Sequence, residues 1–138
     1  MQVFTDPRYY RDPILAGSLP FSSGGAAVAW IDARDIAAVV ERTLLEPGHT
    51  GKTYELSGPE ALTLPQTVEL LSTALGRPVV HVEQTIEESV AGLEGFERQL
   101  EVTTMERIHA GVFAAVTDTV ERVTGRPART LEAFLAGR

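Results

Sequence analysis

The sequence has 138 residues, of which 12 are basic and 19 acidic, so its formal net charge is −7. Cysteine is absent, which excludes disulfide bonds and cysteine metal sites. An acidic chain with scattered arginines gains little binding free energy from contacts with the phosphates of a nucleic acid. We therefore expect no nucleic-acid partner. The longest apolar stretch, residues 26–31, is far shorter than the roughly 20 residues that span a bilayer. We therefore expect no membrane partner and a cytoplasmic location.

The length suits a single domain over residues 1–138, which begins with a segment that we call the leader, residues 1–25. We expect the leader to be irregular, because prolines, glycines and a Ser-Ser-Gly-Gly run interrupt any regular spacing. It nevertheless contains four of the eight phenylalanine and tyrosine residues: Phe4, Tyr9, Tyr10 and Phe21. These aromatic side chains are expected to pack against the core or a ligand.

Residues 26–84 are predicted to alternate strands with helices. Val28–Asp32 is a short apolar run typical of a strand, and Asp32 can accept a backbone hydrogen bond at the start of the helix that follows. Asp35 adds a negative charge to the first turn, where the helix dipole favours it. These two carboxylates resemble a catalytic pair, but capping explains both. Apolar residues at helical spacing continue this helix to Glu46, which precedes a Pro-Gly stop.

Two further strands and one helix are predicted in this middle part. Lys52–Ser57 alternates polar and apolar residues, as in a half-buried strand. Thr63 opens a capping box with proline in the first turn, and Gly76 ends the helix that it begins. Pro78–Glu83 predicts a third strand. Within it, His81 lies on the side opposite to its valine neighbours and is expected to face the surface.

The last part, residues 85–138, is predicted to be helical. Its composition shifts to Glu, Ala, Val and Arg at helical spacing, with glycines between the segments. Four helices are predicted: Ile86–Leu93, Phe96–Phe113, Thr117–Thr124 and Thr130–Ala136. The expected fold is thus a small mixed α/β (α+β) domain of about three short strands and six helices.

The usual motifs of metal, acyl-transfer and nucleotide sites are missing. No two histidines have metal-ligand spacing on a helix, and no Gly-x-Ser-x-Gly elbow occurs. No Gly-x-Gly-x-x-Gly or Walker loop follows a strand, and Gly24-Gly25 is not followed by a helix start that could hold a pyrophosphate. We therefore expect no metal ion and no cofactor on this chain.

Several segments, taken in order, resemble a known family. Residues 30–39 read Trp-Ile-Asp-Ala-Arg-Asp-Ile-Ala-Ala-Val, and residues 51–63 read Gly-Lys-Thr-Tyr-Glu-Leu-Ser-Gly-Pro-Glu-Ala-Leu-Thr. Leu-Gly-Arg-Pro at 75–78 and Thr-Gly-Arg-Pro at 124–127 extend the likeness to nearly the whole chain. This order resembles the C-terminal half of the NmrA-like atypical short-chain dehydrogenases. The resemblance implies a small substrate domain that follows the sixth strand of a nucleotide-binding Rossmann domain.

The chain also departs from that family. The family's glycine-rich phosphate loop has no counterpart here, and none of Tyr9, Tyr10 and Tyr54 has a lysine four residues on, as the Tyr-x-x-x-Lys pair requires. The resemblance places Lys52–Ser57 at the edge of a large sheet that this chain does not contain. A strand without its neighbour associates readily, so we expect a homo-oligomer or a separate Rossmann-type partner chain.

We hypothesise a stand-alone, cofactor-independent enzyme of cyclase or isomerase type, with a biosynthetic role, that acts on an apolar small molecule. Two alternatives remain open. One is the substrate-binding subunit of a split NAD(P)-dependent oxidoreductase, and the other is a non-catalytic binding or regulatory module.

The substrate pocket is expected between the leader and the helix that carries His109, since the resemblance implies that these segments face the substrate. Tyr10 and His109 are the candidate catalytic residues, as acid–base groups. His109 could instead be a satisfied core histidine. The residues expected to bind substrate are Phe4, Tyr9, Trp30, Met105, Val112 and Phe113.

Overall fold

The computed structural model describes residues 1–138. The chain forms seven α-helices, two β-strands and two short 3-10 turns, at Gln2–Phe4 and Val112–Ala114. The helices are α1 (Arg11–Leu15), α2 (Ala33–Leu45), α3 (Leu64–Leu75), α4 (Ile86–Ser89), α5 (Gly95–His109), α6 (Thr119–Thr124) and α7 (Leu131–Leu135). The strands are β1 (Ser18–Phe21) and β2 (Val80–Glu83). The mixed α/β class is confirmed, and each of the six predicted helices has a counterpart. Two of them are shorter than predicted: α4 ends at Ser89 rather than Leu93, and α5 ends at His109 rather than Phe113. None of the helices combines the length and apolarity needed to cross a bilayer.

The two strands pair in parallel, beginning with Ser18 opposite Val80. Strand β2 is the strand predicted within residues 78–83. Strand β1 and helix α1 lie in the leader, which is more regular than its sequence predicted. Pro20 is tolerated in β1 because each strand of a two-stranded sheet has one unpaired edge. A residue without an N–H on that edge loses no hydrogen bond.

Two predicted strands are wrong. Val28–Asp32 forms no strand, although Val28 makes an isolated antiparallel bridge to Leu62. Residues 53–56 alternate between exposed and half-buried side chains as predicted, but Ser57, a polar position of the same pattern, is buried. The backbone of Lys52–Ser57 pairs with no strand. An alternating sequence pattern indicates which side chains face the core. Backbone pairing also requires a second strand in register, which the pattern does not reveal.

The capping predictions around α2 are confirmed. Asp32 is the N-cap, and its carboxylate accepts hydrogen bonds from the Arg34 backbone N–H and the Gln2 amide, both at 2.8 Å. Burial would raise the pKa of Asp32, but hydrogen bonds from Arg34 and Gln2 outweigh it and lower the pKa to about 2. Asp35 is buried against Arg129, whose backbone N–H donates to it at 2.7 Å and whose guanidinium pairs with it. Both carboxylates are therefore structural.

The remaining local signals also agree with the structure, with one exception. Thr63 and Gln66 form the predicted capping box of α3, and Gly76 ends that helix in the left-handed conformation. The prediction that His81 faces the surface is wrong, since its side chain is 14% exposed. The ring instead lies against strand β1, with its Nε2 3.3 Å from the Phe21 carbonyl oxygen.

The leader contributes directly to the hydrophobic core. Phe4, Ile14, Leu19 and Phe21 are all buried there. They pack with residues from α3, α5 and α7, so residues distant in sequence form one core. This packing positions the leader beside α5, and a cavity lies between them.

Candidate substrate pocket

A cavity of about 260 Å³ lies between the leader and α5. Tyr9 and Tyr10 line it from the leader, and Met105 and Ile108 line it from α5. Twelve of its fourteen lining residues are hydrophobic, so the cavity suits an apolar ligand.

Trp30 is held rigidly in the cavity wall. Its indole N–H donates a hydrogen bond to the Thr67 hydroxyl at 3.1 Å, and Thr67 is completely buried. The indole meets Phe4 and Phe21 edge to face, with ring centroids 4.8 and 5.7 Å apart. Tyr10 extends this aromatic chain by packing on Phe21 at 5.6 Å. The wall is therefore preorganised, since each ring is fixed by its neighbour.

The structure brings together five of the residues named from the sequence. Those that line the cavity are Tyr9, Tyr10, Trp30, Met105 and Phe113. They come from the leader, the segment before α2, helix α5 and the turn after it.

Three other residues named from the sequence do not line this cavity. Phe4 is buried behind Trp30 and faces a second cavity of about 290 Å³ beside α1 and α3. Val112 lines a separate surface cleft near Ser57. His109 points to the turn after β1, where it contacts Ser22.

Glu101 is a cavity residue that the sequence analysis missed. It lies one helical turn before Met105, so its spacing on α5 was the available signal. Burial raises the pKa of the Glu101 carboxyl. Burial and the nearby Glu101 charge both raise the pKa of Tyr10, which keeps its hydroxyl protonated at neutral pH. The cavity is thus lined by one carboxyl group, Glu101, and two phenols, of which Tyr10 is the one whose pKa is raised.

The glycine turn after β1 does not fit a nucleotide phosphate. Glu83 occupies its donors: the backbone N–H groups of Ser23 and Gly24 donate to the carboxylate at 2.8 Å, and the Ser23 hydroxyl donates at 2.6 Å. Burial alone would raise the pKa of Glu83, but these hydrogen bonds lower it. A bound phosphate would have to displace this charged group, and no helix begins at the turn to favour it.

Comparisons with known proteins agree with this architecture. No family model matches the chain. It is 41% identical to the NAD(P)H azoreductase of Xenophilus azovorans, over 95% of this chain and 50% of that protein. It is 37% identical to the (4-alkanoyl-5-oxo-2,5-dihydrofuran-3-yl)methyl phosphate reductase of Streptomyces griseus, over 83% of this chain and 42% of that protein.

A solved structure shares the fold. The NADPH-dependent quinone oxidoreductase QOR2 of Escherichia coli, in complex with NADPH, matches 92% of this chain and 47% of its own length, with a TM-score of 0.80 and 23% identity. The fold is that of a half of an NmrA-like reductase. The chain belongs to the NmrA-like short-chain dehydrogenase family and corresponds to its C-terminal half. It spans about half the length of the curated relatives that it matches.

Proposed function

We propose that the chain is the substrate-binding half of an NAD(P)H-dependent reductase that acts on apolar aromatic small molecules. The aromatic cavity between the leader and α5 carries this proposal. The names of one relative, an azoreductase, and of the similar structure, a quinone oxidoreductase, support a planar, conjugated substrate. The nucleotide belongs to another half, because Glu83 fills the glycine turn of this one.

The residues of the cavity can bind and orient such a substrate. Flat aromatic walls at Tyr9, Trp30 and Phe113 favour a planar ring system. The Tyr10 hydroxyl stays protonated and can donate a hydrogen bond to a carbonyl oxygen or an azo nitrogen of the substrate. Apolar surroundings exclude water and strengthen that hydrogen bond. The chain therefore binds and orients the substrate, and it supplies a hydrogen-bond donor, the Tyr10 hydroxyl.

The proposal can be tested by the fluorescence of Trp30, the single tryptophan of the chain. Titration with 2-methyl-1,4-naphthoquinone or azobenzene should quench this emission with saturation. Tyr9→Ala should weaken binding about tenfold, because it removes one aromatic wall from a cavity that stays otherwise intact. Phe96→Ala is the control, since Phe96 is also an exposed aromatic residue but lies outside the cavity. Equal effects of the two variants, or no saturable quenching, would contradict the proposal.

A cofactor-independent cyclase or isomerase is the second candidate, supported by the titratable pair Tyr10 and Glu101 in the cavity. A carboxyl with a raised pKa in apolar surroundings is a good general base. The test is ring opening of 5-nitrobenzisoxazole, a general-base probe, by the chain alone. Glu101→Gln should abolish this activity and His109→Gln should preserve it. Saturable ligand binding without turnover would favour a half of a reductase or a non-catalytic binding module.

A further inference from the structure

The second cavity, beside α1 and α3, is separate from the candidate substrate pocket. Its volume is about 290 Å³, and seven of its nine lining residues are hydrophobic. Phe4, Ile14 and Leu71 are buried at its inner side, whereas Leu15 and Leu75 are 49 and 37% exposed. It shares no lining residue with the cavity between the leader and α5. The chain therefore has two distinct apolar cavities, and the second one is open to solvent on the side of Leu15 and Leu75.

Arg11 is the one charged residue that lines this second cavity. Its side chain is 44% exposed, and its Nε–H donates to the Asp12 carboxylate at 2.9 Å. The two terminal nitrogens of the guanidinium have no hydrogen-bond acceptor in the chain. Together these nitrogens present a parallel pair of N–H groups, which matches the two oxygens of a carboxylate. The cavity thus combines apolar walls with a pair of free donors.

The charges around Arg11 favour a ligand with a single negative charge. Arg11 pairs with Asp12, and the neighbouring Arg8 pairs with Asp6. Arg77 adds a further positive charge, because its guanidinium donates to the backbone carbonyl at the end of α1 and pairs with no carboxylate. Three arginines and two aspartates give these five side chains a charge of +1, although the chain as a whole has a net charge of −7. A doubly charged phosphate would be repelled more strongly by the two aspartates than a carboxylate would.

We propose that the second cavity is a binding site for a small carboxylic acid with an apolar tail. The tail fills the cavity, and the carboxylate accepts two parallel hydrogen bonds from the free end of the Arg11 guanidinium. The tail also covers the exposed side chains of Leu15 and Leu75, which gain free energy from leaving water. This site is additional to the substrate pocket and does not depend on the proposed function, because the two cavities have no residue in common.

The experiment is titration calorimetry of the 138-residue chain with octanoate, and with octanol as an uncharged probe that has a tail of the same length. Octanoate should bind with a Kd below about 1 mM, and octanol should bind at least about tenfold more weakly, because it lacks the charge-assisted hydrogen bonds. Arg11→Gln should weaken octanoate binding about tenfold for the same reason. Arg8→Gln is the matched control, since Arg8 is an exposed arginine of the same segment that lies outside the cavity. Tyr9→Ala should leave octanoate binding unchanged, because Tyr9 lines the other cavity.

Four results would overturn the proposal. The first is the absence of binding at millimolar octanoate, and the second is an equal effect of Arg11→Gln and Arg8→Gln. The third is a loss of octanoate affinity in Tyr9→Ala, which would place the ligand in the cavity between the leader and α5. The fourth is a homodimer that Leu75→Lys dissociates, which would assign the opening of the second cavity to a second copy of the chain. The quenching of Trp30 by a quinone is measured separately, so its failure would contradict the proposed function and leave the octanoate site unaffected.

Discussion

The imidazole Nε2 of His109 lies 3.0 Å from the hydroxyl of Ser22, which ties the end of α5 to the turn after β1. The ring also covers Gly24, where an added Cβ would lie 2.7 Å from the imidazole Cγ. Gly24 has a φ of +57°, so both its conformation and its neighbour favour glycine. This contact holds the end of α5 against the turn, without placing His109 in the cavity wall.

The Gly24 contact gives the first prediction. Gly24→Ala should lower the free energy of unfolding by about 2 to 3 kcal/mol, from the left-handed backbone and the clash with the His109 ring. In a His109→Ala background the same substitution should cost about 1 kcal/mol less, because the clash is gone while the backbone strain remains. Urea unfolding of the four proteins of this cycle measures the difference. Equal costs in both backgrounds would show that the ring does not contact the turn.

The second prediction concerns the buried pair of Asp35 and Arg129. Asp35→Asn should lower the free energy of unfolding by about 2 to 3 kcal/mol, because it leaves a partly buried guanidinium without its charge partner. Asp118→Asn is the matched control: Asp118 also pairs with an arginine, but both side chains are exposed, so its loss should cost less than about 0.5 kcal/mol. Thermal and urea unfolding measure the loss of stability in both variants. Equal losses for Asp35→Asn and Asp118→Asn would contradict the prediction.

The third prediction is an acid-dependent loss of stability at Asp32. Its pKa is about 2 in the folded chain against an ordinary value of 3.8, so the folded state favours the ionised form. The stabilisation is complete above about pH 5 and is lost as the pH falls through 2, with a size on the order of 2 kcal/mol. Asp32→Asn keeps a side chain that caps α2 but cannot ionise. The difference in unfolding free energy between the two proteins should therefore shrink over this range, and a constant difference would contradict the prediction.

The fourth prediction concerns the charge of the cavity. Glu101→Gln should weaken the binding of a cationic triphenylmethane dye by about three- to tenfold and leave a neutral quinone unaffected, since it removes the one carboxylate among the lining residues. Because burial raises the pKa of Glu101, dye binding by the unaltered chain should decrease as the pH falls through that raised pKa. The variant should show no such decrease. Trp30 quenching measures both, and an equal loss of dye and quinone binding would indicate a distorted cavity instead.

Local signals explain which parts of the fold were predictable. The caps at Asp32, Thr63 and Gly76 depend on residues within four positions, so the sequence alone located α2 and α3. Strand β1 was missed because its partner β2 lies about sixty residues away, and no local sequence pattern indicates that the two pair. Residues 52–57 have the side-chain pattern of a strand, but the chain has no second strand beside them to pair with. A sequence pattern does not show whether such a strand is present.

The same division applies to the cavity. The sequence by itself predicted an aromatic leader and a helix that carries Met105, and five of the residues that it named line the cavity. Only the tertiary structure decided that Glu101 faces it and that His109 turns toward Ser22, four residues from Met105 on the same helix. Composition and spacing determine which residues share a helix face. Which of them meet a cavity depends on how the leader packs against that helix, and this packing joins residues about one hundred positions apart.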